Sequence, residues 1–228
     1  AQTEKAFTQE DVDRLKAKLG TDRPLVVQYG DWIWGLTRLD FGTSFFYDQP
    51  IWDDIKDRFP ITFELTVLAL LMAGIVAVPL GVLSAIKQDS LPDYIGRIIT
   101  IGGIAIPNFW IGILMVFFLA NVFDWLPPLG YTDIWKDPWT NLQQLVFPAL
   151  ALAITHMAFV GRVTRSAALE VIREDYIRTA RSKGLSEKIV IWRHVLKNAL
   201  LPVVTVAGYE FGRLMGGTVL IETIFNVP

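Results

Sequence analysis

Apolar residues in this chain gather into long runs separated by short polar links. No charged residue lies between Glu64 and Lys87 (22 positions), between Arg97 and Asp124 (26) or between Asp137 and Arg162 (24). Each run exceeds the ~20 residues a helix needs to cross a ~30 Å hydrocarbon layer. The pattern predicts spans at about 61–86, 98–123, 141–161 and 199–221, the last carrying Glu210 and Arg213 within it. Pro79, Pro107, Pro148 and Pro202 fall within or at the edges of these spans and predict kinks, because proline removes a backbone donor. Residues 1–60 are mixed and polar. They predict a short helix from Thr8 through Lys18, stopped at Gly20, and after Pro24 a second helix with Val26, Tyr29, Ile33 and Leu36 at helical spacing. Such an amphipathic helix lies on protein or on a membrane surface.

Composition narrows the function. The 228 residues are 52% hydrophobic and 19% charged, with 21 Lys+Arg against 23 Asp+Glu, which fits neither a disordered chain nor a nucleic-acid binder. The absence of cysteine excludes disulfides, thiol catalysis and Cys-based metal sites. His156 and His194 lie far apart, so no metal site is expected. Neither a phosphate-binding Gly-rich loop nor a nucleophile elbow is present, so a catalytic residue is not expected in this chain.

Charge also orients the spans. Residues 162–197 hold nine Lys/Arg against four acids, whereas the Trp-rich loop with Trp125, Trp135 and Trp139 holds one Lys against three acids. The positive-inside rule places the basic loop in the cytoplasm, and the Trp-rich loop and residues 1–60 outside. An external segment of that length predicts a further span upstream, and the chain's end at Pro228 just past a span predicts another downstream.

Within the basic loop, Leu169, Ile172, Tyr176 and Ala180 form one stripe on a helix continuing the third span, and Gly184 breaks it. Leu185 precedes Ser186, a cap for a second short helix with the stripe Ile189, Trp192 and Leu196. Two short helices about a glycine make a compact knob, suited to a partner's groove or to an anionic lipid surface. In the last span, Gly208, Gly212 and Gly216 form a face for close helix packing. Glu210 and Arg213, at i,i+3 and away from that face, form a pair that either lines or gates a pathway or serves as a structural ion pair.

The run from Asp175 to Glu187, followed by Arg193-His-Val-Leu-Lys-Asn-Ala-Leu-Leu-Pro202, resembles the cytoplasmic loop of ABC importer permeases. Ala180, Gly184 and Leu196 match the general loop pattern. Arg178, Thr179, His194 and Lys197 depart from it, in the manner of the oligopeptide, dipeptide and nickel branch. Leu39-Asp-Phe-Gly-Thr-Ser44, Arg58-Phe-Pro-Ile-Thr62, Pro107-Asn-Phe-Trp110 and Gly216-Gly-Thr-Val-Leu-Ile-Glu222 resemble the same branch.

The resemblance implies an all-α type I ABC importer transmembrane-domain fold in the inner membrane, here a fragment with four of six spans. It implies a coupling site at Tyr176, Ala180, Gly184, Leu185, Ser186, Ile189 and Trp192, docking on a cytoplasmic ATPase. The implied partners are a second homologous permease, two ATPase subunits that hold ATP and Mg, and an external solute-binding protein, with no cofactor on this chain. The implied function is ATP-driven import of peptides or related small solutes by alternating access. An ion-coupled secondary transporter and a non-transporting membrane scaffold are the alternatives that residue patterns alone leave open.

Overall fold

The structure, a computed structural model, describes residues 8–44 and 49–227; Pro228 lies outside the described residues. The described residues are helical apart from loops and one isolated bridge, Thr43 to Pro50. The chain divides into two compact units, residues 1–59 and 60–228.

In the first unit, α1 (Gln9–Leu19) stops where Gly20 takes φ +67°, a conformation open to glycine at little cost. Pro24 then caps α2 (Leu25–Thr37). Leu25, Val26, Tyr29, Trp32 and Trp34 of α2 are exposed, and Arg38 lies 4.6 Å over the Trp34 ring. Phe41 and Trp52 stack with centroids 5.4 Å apart.

In the second unit the expected spans exist with altered limits. The first belongs to α3 (Ile51–Ile86), which continues through Pro60 and Pro79. The second is not one helix. α4 (Leu91–Ala105) and α5 (Asn108–Phe123) meet at a 98° bend, because Pro107 lacks the N–H needed to continue α4 and holds Ile106 extended. The third is longer than its uncharged core: α6 (Pro138–Ile172) begins at the Asp137 cap, which accepts from the Trp139 and Thr140 amides, and runs on past Arg162 and Arg165. Those bonds from Thr140 and Trp139 hold the Asp137 carboxyl below the usual carboxylate range. The fourth, α9 (Leu196–Met215), ends at Gly216-Gly217, and a separate α10 (Val219–Phe225) follows.

Among the described residues, α3, α6 and the helical run Glu187–Met215 are each long and apolar enough to cross a membrane, and the bent α4–α5 pair makes a fourth span if counted as one. α6 is central to the unit. Its buried Leu145, Ala149 and Leu152 pack with Ile61, Leu65 and Ala69 of α3, Leu214 of α9, and Ile221 and Phe225 of α10. Midway, Val160 meets Ala77 and Val203.

Small residues on α6 let its neighbours approach closely, which is how helices associate where lipid removes any hydrophobic drive between them. The tightest approach is at Gly81. A Cβ there would lie 2.7 Å from Thr164 Cβ and 2.8 Å from the Gly161 carbonyl oxygen. Because one obstacle is backbone, rotamer changes cannot relieve it. Gly81→Val is therefore expected to force α3 from α6 and cost at least about 1–3 kcal/mol. Thermal unfolding in detergent checks this: the midpoint should fall, whereas an unchanged midpoint would show the contact to be soft.

Candidate functional site

The basic segment between α6 and α9 is folded, and differently from its sequence stripes. α6 ends at Ile172 and α7 (Asp175–Ser182) starts afresh after a turn, so Leu169, Ile172, Tyr176 and Ala180 do not share one continuous helix. α7 buries Ile177 and Ala180 and leaves Tyr176 partly exposed. At its end the Leu185 amide donates to the Ala180 carbonyl and the Gly184 amide to that of Arg181, the two bonds of a Schellman turn, with Gly184 at φ +76°. Arg181 and Glu187 brace the turn with a two-pronged ion pair, closest at 2.7 Å.

Ser186 stands at the N-cap of α8 (Glu187–Ile189), but its side chain makes no capping bond. Nor is the second helix separate. α8 leads through a π-helical turn, Val190–Val195, directly into α9. The wider turn brings Val190 and Val195, five apart, to one inward face. An α-helix of about 3.6 residues per turn would not align them. Of the expected stripe, Ile189 and Trp192 are exposed, while Leu196 is partly buried.

The inward residues Ile177, Ala180, Val190, Val195 and Ala199 form one apolar cluster with Val82 and Ala85 of α3 and Ala167 and Ala168 of α6. Full burial of a Val or Ile side chain contributes roughly 1.5–3 kcal/mol, so the knob is anchored on the spans. Tyr176, Leu185, Ile189 and Trp192 face outward as an apolar surface among Lys188, Arg193 and Arg181. The Tyr176 hydroxyl accepts from Asn198 Nδ2 at 2.9 Å, tying α7 to α9.

Beside this cluster sits a constellation that sequence reasoning missed. Asp93, at the start of α4, is completely buried. Arg165 of α6 grips it with both prongs, Nε to Oδ1 at 2.6 Å and Nη2 to Oδ2 at 2.7 Å. Ser84 of α3 donates to Oδ1, the Asp89 amide donates to Oδ2 at 3.0 Å, and Arg97 Nη2 lies 3.3 Å from Oδ2. One carboxylate thereby joins α3, α4 and α6. In sequence, Asp93 was merely one charge of a link with two bases and two acids.

A second buried carboxylate lies within the spans. Glu210 Oε2 receives Arg213 Nε at 2.9 Å and Nη2 at 2.6 Å, and His156 Nδ1 of α6 lies 2.8 Å from the same oxygen. The expected i,i+3 pair is present, with a third member from α6. The glycine face is placed otherwise: a Cβ at Gly208 or Gly212 would meet nothing within 4 Å, and one at Gly216 only the Arg213 carbonyl at 4.0 Å. Among the described residues no side chain packs on those glycines. The close approaches fall instead at Gly81, Gly103 and Gly112, where Ala158 and Ile221 face the last two.

Toward the other end of the bundle, Glu222 accepts from Thr62 and Thr218 at 2.8 Å each, and Tyr131 donates to Glu64 at 2.8 Å. Burial and that neighbouring carboxylate push the Tyr131 phenol well above its usual pKa. Asn141 and Gln144 of α6 hold the Trp-rich loop through the Thr132 carbonyl and amide.

Comparison with known proteins identifies the chain at this point. Residues 77–228 match the family described as the binding-protein-dependent transport system inner membrane component, and residues 1–66 match its N-terminal region. The chain belongs to this family. A protein of Brucella suis biovar 1 named as a peptide transport system permease is 42% identical, over 96% of this chain and 70% of its own length. A dipeptide transport system permease of Alkalihalophilus pseudofirmus is 38% identical over 94% of this chain and 70% of its own. One of Escherichia coli K12 is 36% identical over 99% and 73%.

The chain is thus a multi-pass permease subunit of an ABC importer, and not itself an enzyme. In this permease the knob and Asp93 are neighbours, since Val82 and Ala85 of the knob's cluster flank Ser84. Asp93→Asn is expected to leave Arg165 without its anion and to destabilise the fold by about 3–5 kcal/mol, the cost of breaking one side of a buried pair. A fall in thermal midpoint of the purified permease checks it. The double change Asp93→Asn with Arg165→Met should recover part of the loss, because no unpaired charge then remains.

Proposed function

We propose that this permease imports peptides, driven by an ATPase that docks on the Gly184 knob. The peptide class is supported by the names of the relatives, several of which transport peptides or dipeptides. The coupling role is supported by one observation above others: the knob is fixed to the spans by buried Ile177, Val190 and Val195 while Tyr176, Leu185, Ile189 and Trp192 keep exposed apolar surface. A surface apolar at its centre and basic at its rim has the composition of a protein contact, with aromatic residues available as anchors.

In this reading residues 162–197 are cytoplasmic and the Trp-rich loop and residues 1–60 are external, where a solute-binding protein delivers its cargo. A second permease completes the pathway, and two ATPase subunits bind ATP and Mg. Closure of the ATPase pair moves the knob, and the knob moves α6 and α9 because it is packed on both. Transport then follows a switch between two access states, biased by nucleotide on one side and solute on the other. Ala180 and Ser186 shape the turn, and Ile189 and Trp192 enter the partner's cleft.

The reading is tested in vesicles containing the assembled importer. Gly184→Trp forces a bulky residue into positive φ at the tip of the knob. Uptake should fall at least about tenfold, with ATP hydrolysis either persisting without uptake or lost together with ATPase co-purification; tenfold corresponds to about 1.4 kcal/mol of coupling. Normal ATP-dependent uptake by this variant would refute the docking role.

A further inference from the structure

We propose that Arg213 is a carboxylate-binding residue of the permease itself, taking the C-terminal carboxylate of a peptide in transit. This inference rests on the peptide reading above. It starts from an asymmetry among exposed faces. α3 and α5 show lipid-compatible surfaces, such as Leu71, Ile75 and Leu80 on α3 and Ile113 and Phe117 on α5. The exposed face of α9 is mixed: it is apolar at Leu201 and Val204, and then changes to Thr205, Gly208, Tyr209, Gly212 and Arg213. A charge within a span faces a protein interior or an aqueous path rather than lipid.

The local geometry prepares Arg213 for an anion. Glu210 is 3% exposed, whereas the Arg213 side chain is 56% exposed. Nε and Nη2 both reach the one oxygen Oε2, and Nη1 makes no hydrogen bond among the described residues. The Nη1–Nη2 edge therefore remains available as a planar fork of the kind that holds a carboxylate with two parallel bonds. His156 Nδ1 of α6 stands 2.8 Å from the same oxygen, so Glu210 lies against α6 while its two bonds from Arg213 aim the guanidinium before any ligand arrives.

Room for the ligand is also present. Gly208 and Gly212 flank the position with no side chain and nothing within 4 Å of a Cβ. Three residues past Arg213 the helix is broken at Gly216-Gly217 before α10 resumes. Irregular backbone beside an apolar bundle is tolerated where it is buried in protein or lines a cavity, and broken helices are a recurrent feature of transporter binding sites. Arg213 thus pairs a neutralising internal partner with an open face, the arrangement for a charge that must wait without ligand and then accept one.

The test uses the assembled importer in vesicles with saturating binding protein, and compares uptake of trialanine with uptake of its C-terminal amide. Wild type should favour the acid. Arg213→Gln should lower the acid-to-amide ratio by about 10- to 100-fold, the range expected for a charge-assisted pair, while Arg213→Lys, which keeps the charge but loses the planar fork, should lower it by less. The binding protein is common to all variants, so a change in the ratio belongs to the permease. If Arg213→Gln fails to assemble because Glu210 is left buried and unpaired, the double variant Glu210→Gln with Arg213→Gln removes both charges and gives the same readout. An unchanged ratio overturns the proposal, as does loss of assembly in both variants, which would make Arg213 an assembly contact. Failure of wild type to take up either form would refute the peptide reading itself.

Discussion

The polar end of the bundle depends on a single buried carboxylate. Asp93 accepts Arg165 from α6 and Ser84 from α3, and it also fixes the turn that joins α3 to α4 through the Asp89 amide. A fully desolvated anion is tolerable only because its partners are cationic and multiply hydrogen-bonded. Arg97, stacked 4.5 Å over Tyr94, adds a second cation at the rim. The result is a fixed platform where three elements enter the spans, and the apolar cluster beneath the knob is built against it. Without that pin, Val82 and Ala85 would have no set position under Ile177 and Val190.

The same logic of one group serving two elements recurs. Glu210 is shared by Arg213 on its own helix and His156 on α6, and Glu222 by Thr62 on α3 and Thr218 before α10. Each carboxylate ties a peripheral element to another part of the bundle where apolar packing alone is weak. Between these ties, buried Leu, Ile, Val and Phe side chains interlock with alanines such as Ala69, Ala77 and Ala149 that let the helices come close. Polar pins fix position, and small residues set spacing.

Much of this was legible in the sequence, and what was not has physical causes. Charge-free runs located the apolar bundle because the cost of charge in hydrocarbon leaves a direct mark on composition. Gly184 was readable as a turn because few residues tolerate its φ. The stripe Ile189, Trp192 and Leu196 is split, the first two exposed and Leu196 partly buried, because periodicity assumes an α-helix and a π-helical turn shifts the register. The 98° bend at Pro107 was foreshadowed by the proline, but Pro79, Pro148 and Pro202 sit inside unbroken helices, so proline marks where a break is affordable and not whether it occurs. Asp93 was invisible because its partners come from residues 84 and 165. Gly208 and Gly212 carried a packing signature with no packing partner among the described residues, since a glycine face records closeness without saying to what.

What links these parts is the continuity of α6. His156, Arg165, and Ala167 and Ala168 lie on one unbroken helix, so the Glu210 site, the Asp93 pin and the floor of the knob share a lever. From His156 to Arg165 is nine residues, about 13 Å along the axis at ~1.5 Å per residue. A rigid rod transmits displacement but does not itself switch. Switching requires elements with more than one arrangement, and the second unit provides breaks suited to that beside the rod, at Ile106-Pro107 between α4 and α5 and at Gly216-Gly217 between α9 and α10. In the proposed coupling, motion of the knob would reach the Glu210–Arg213 pair through α6 and α9 together, with the breaks taking up the change in angle. A helix that runs unbroken between the two sites, flanked by neighbours that are broken, is suited to the proposed coupling, in which access on one side depends on contacts made at the other.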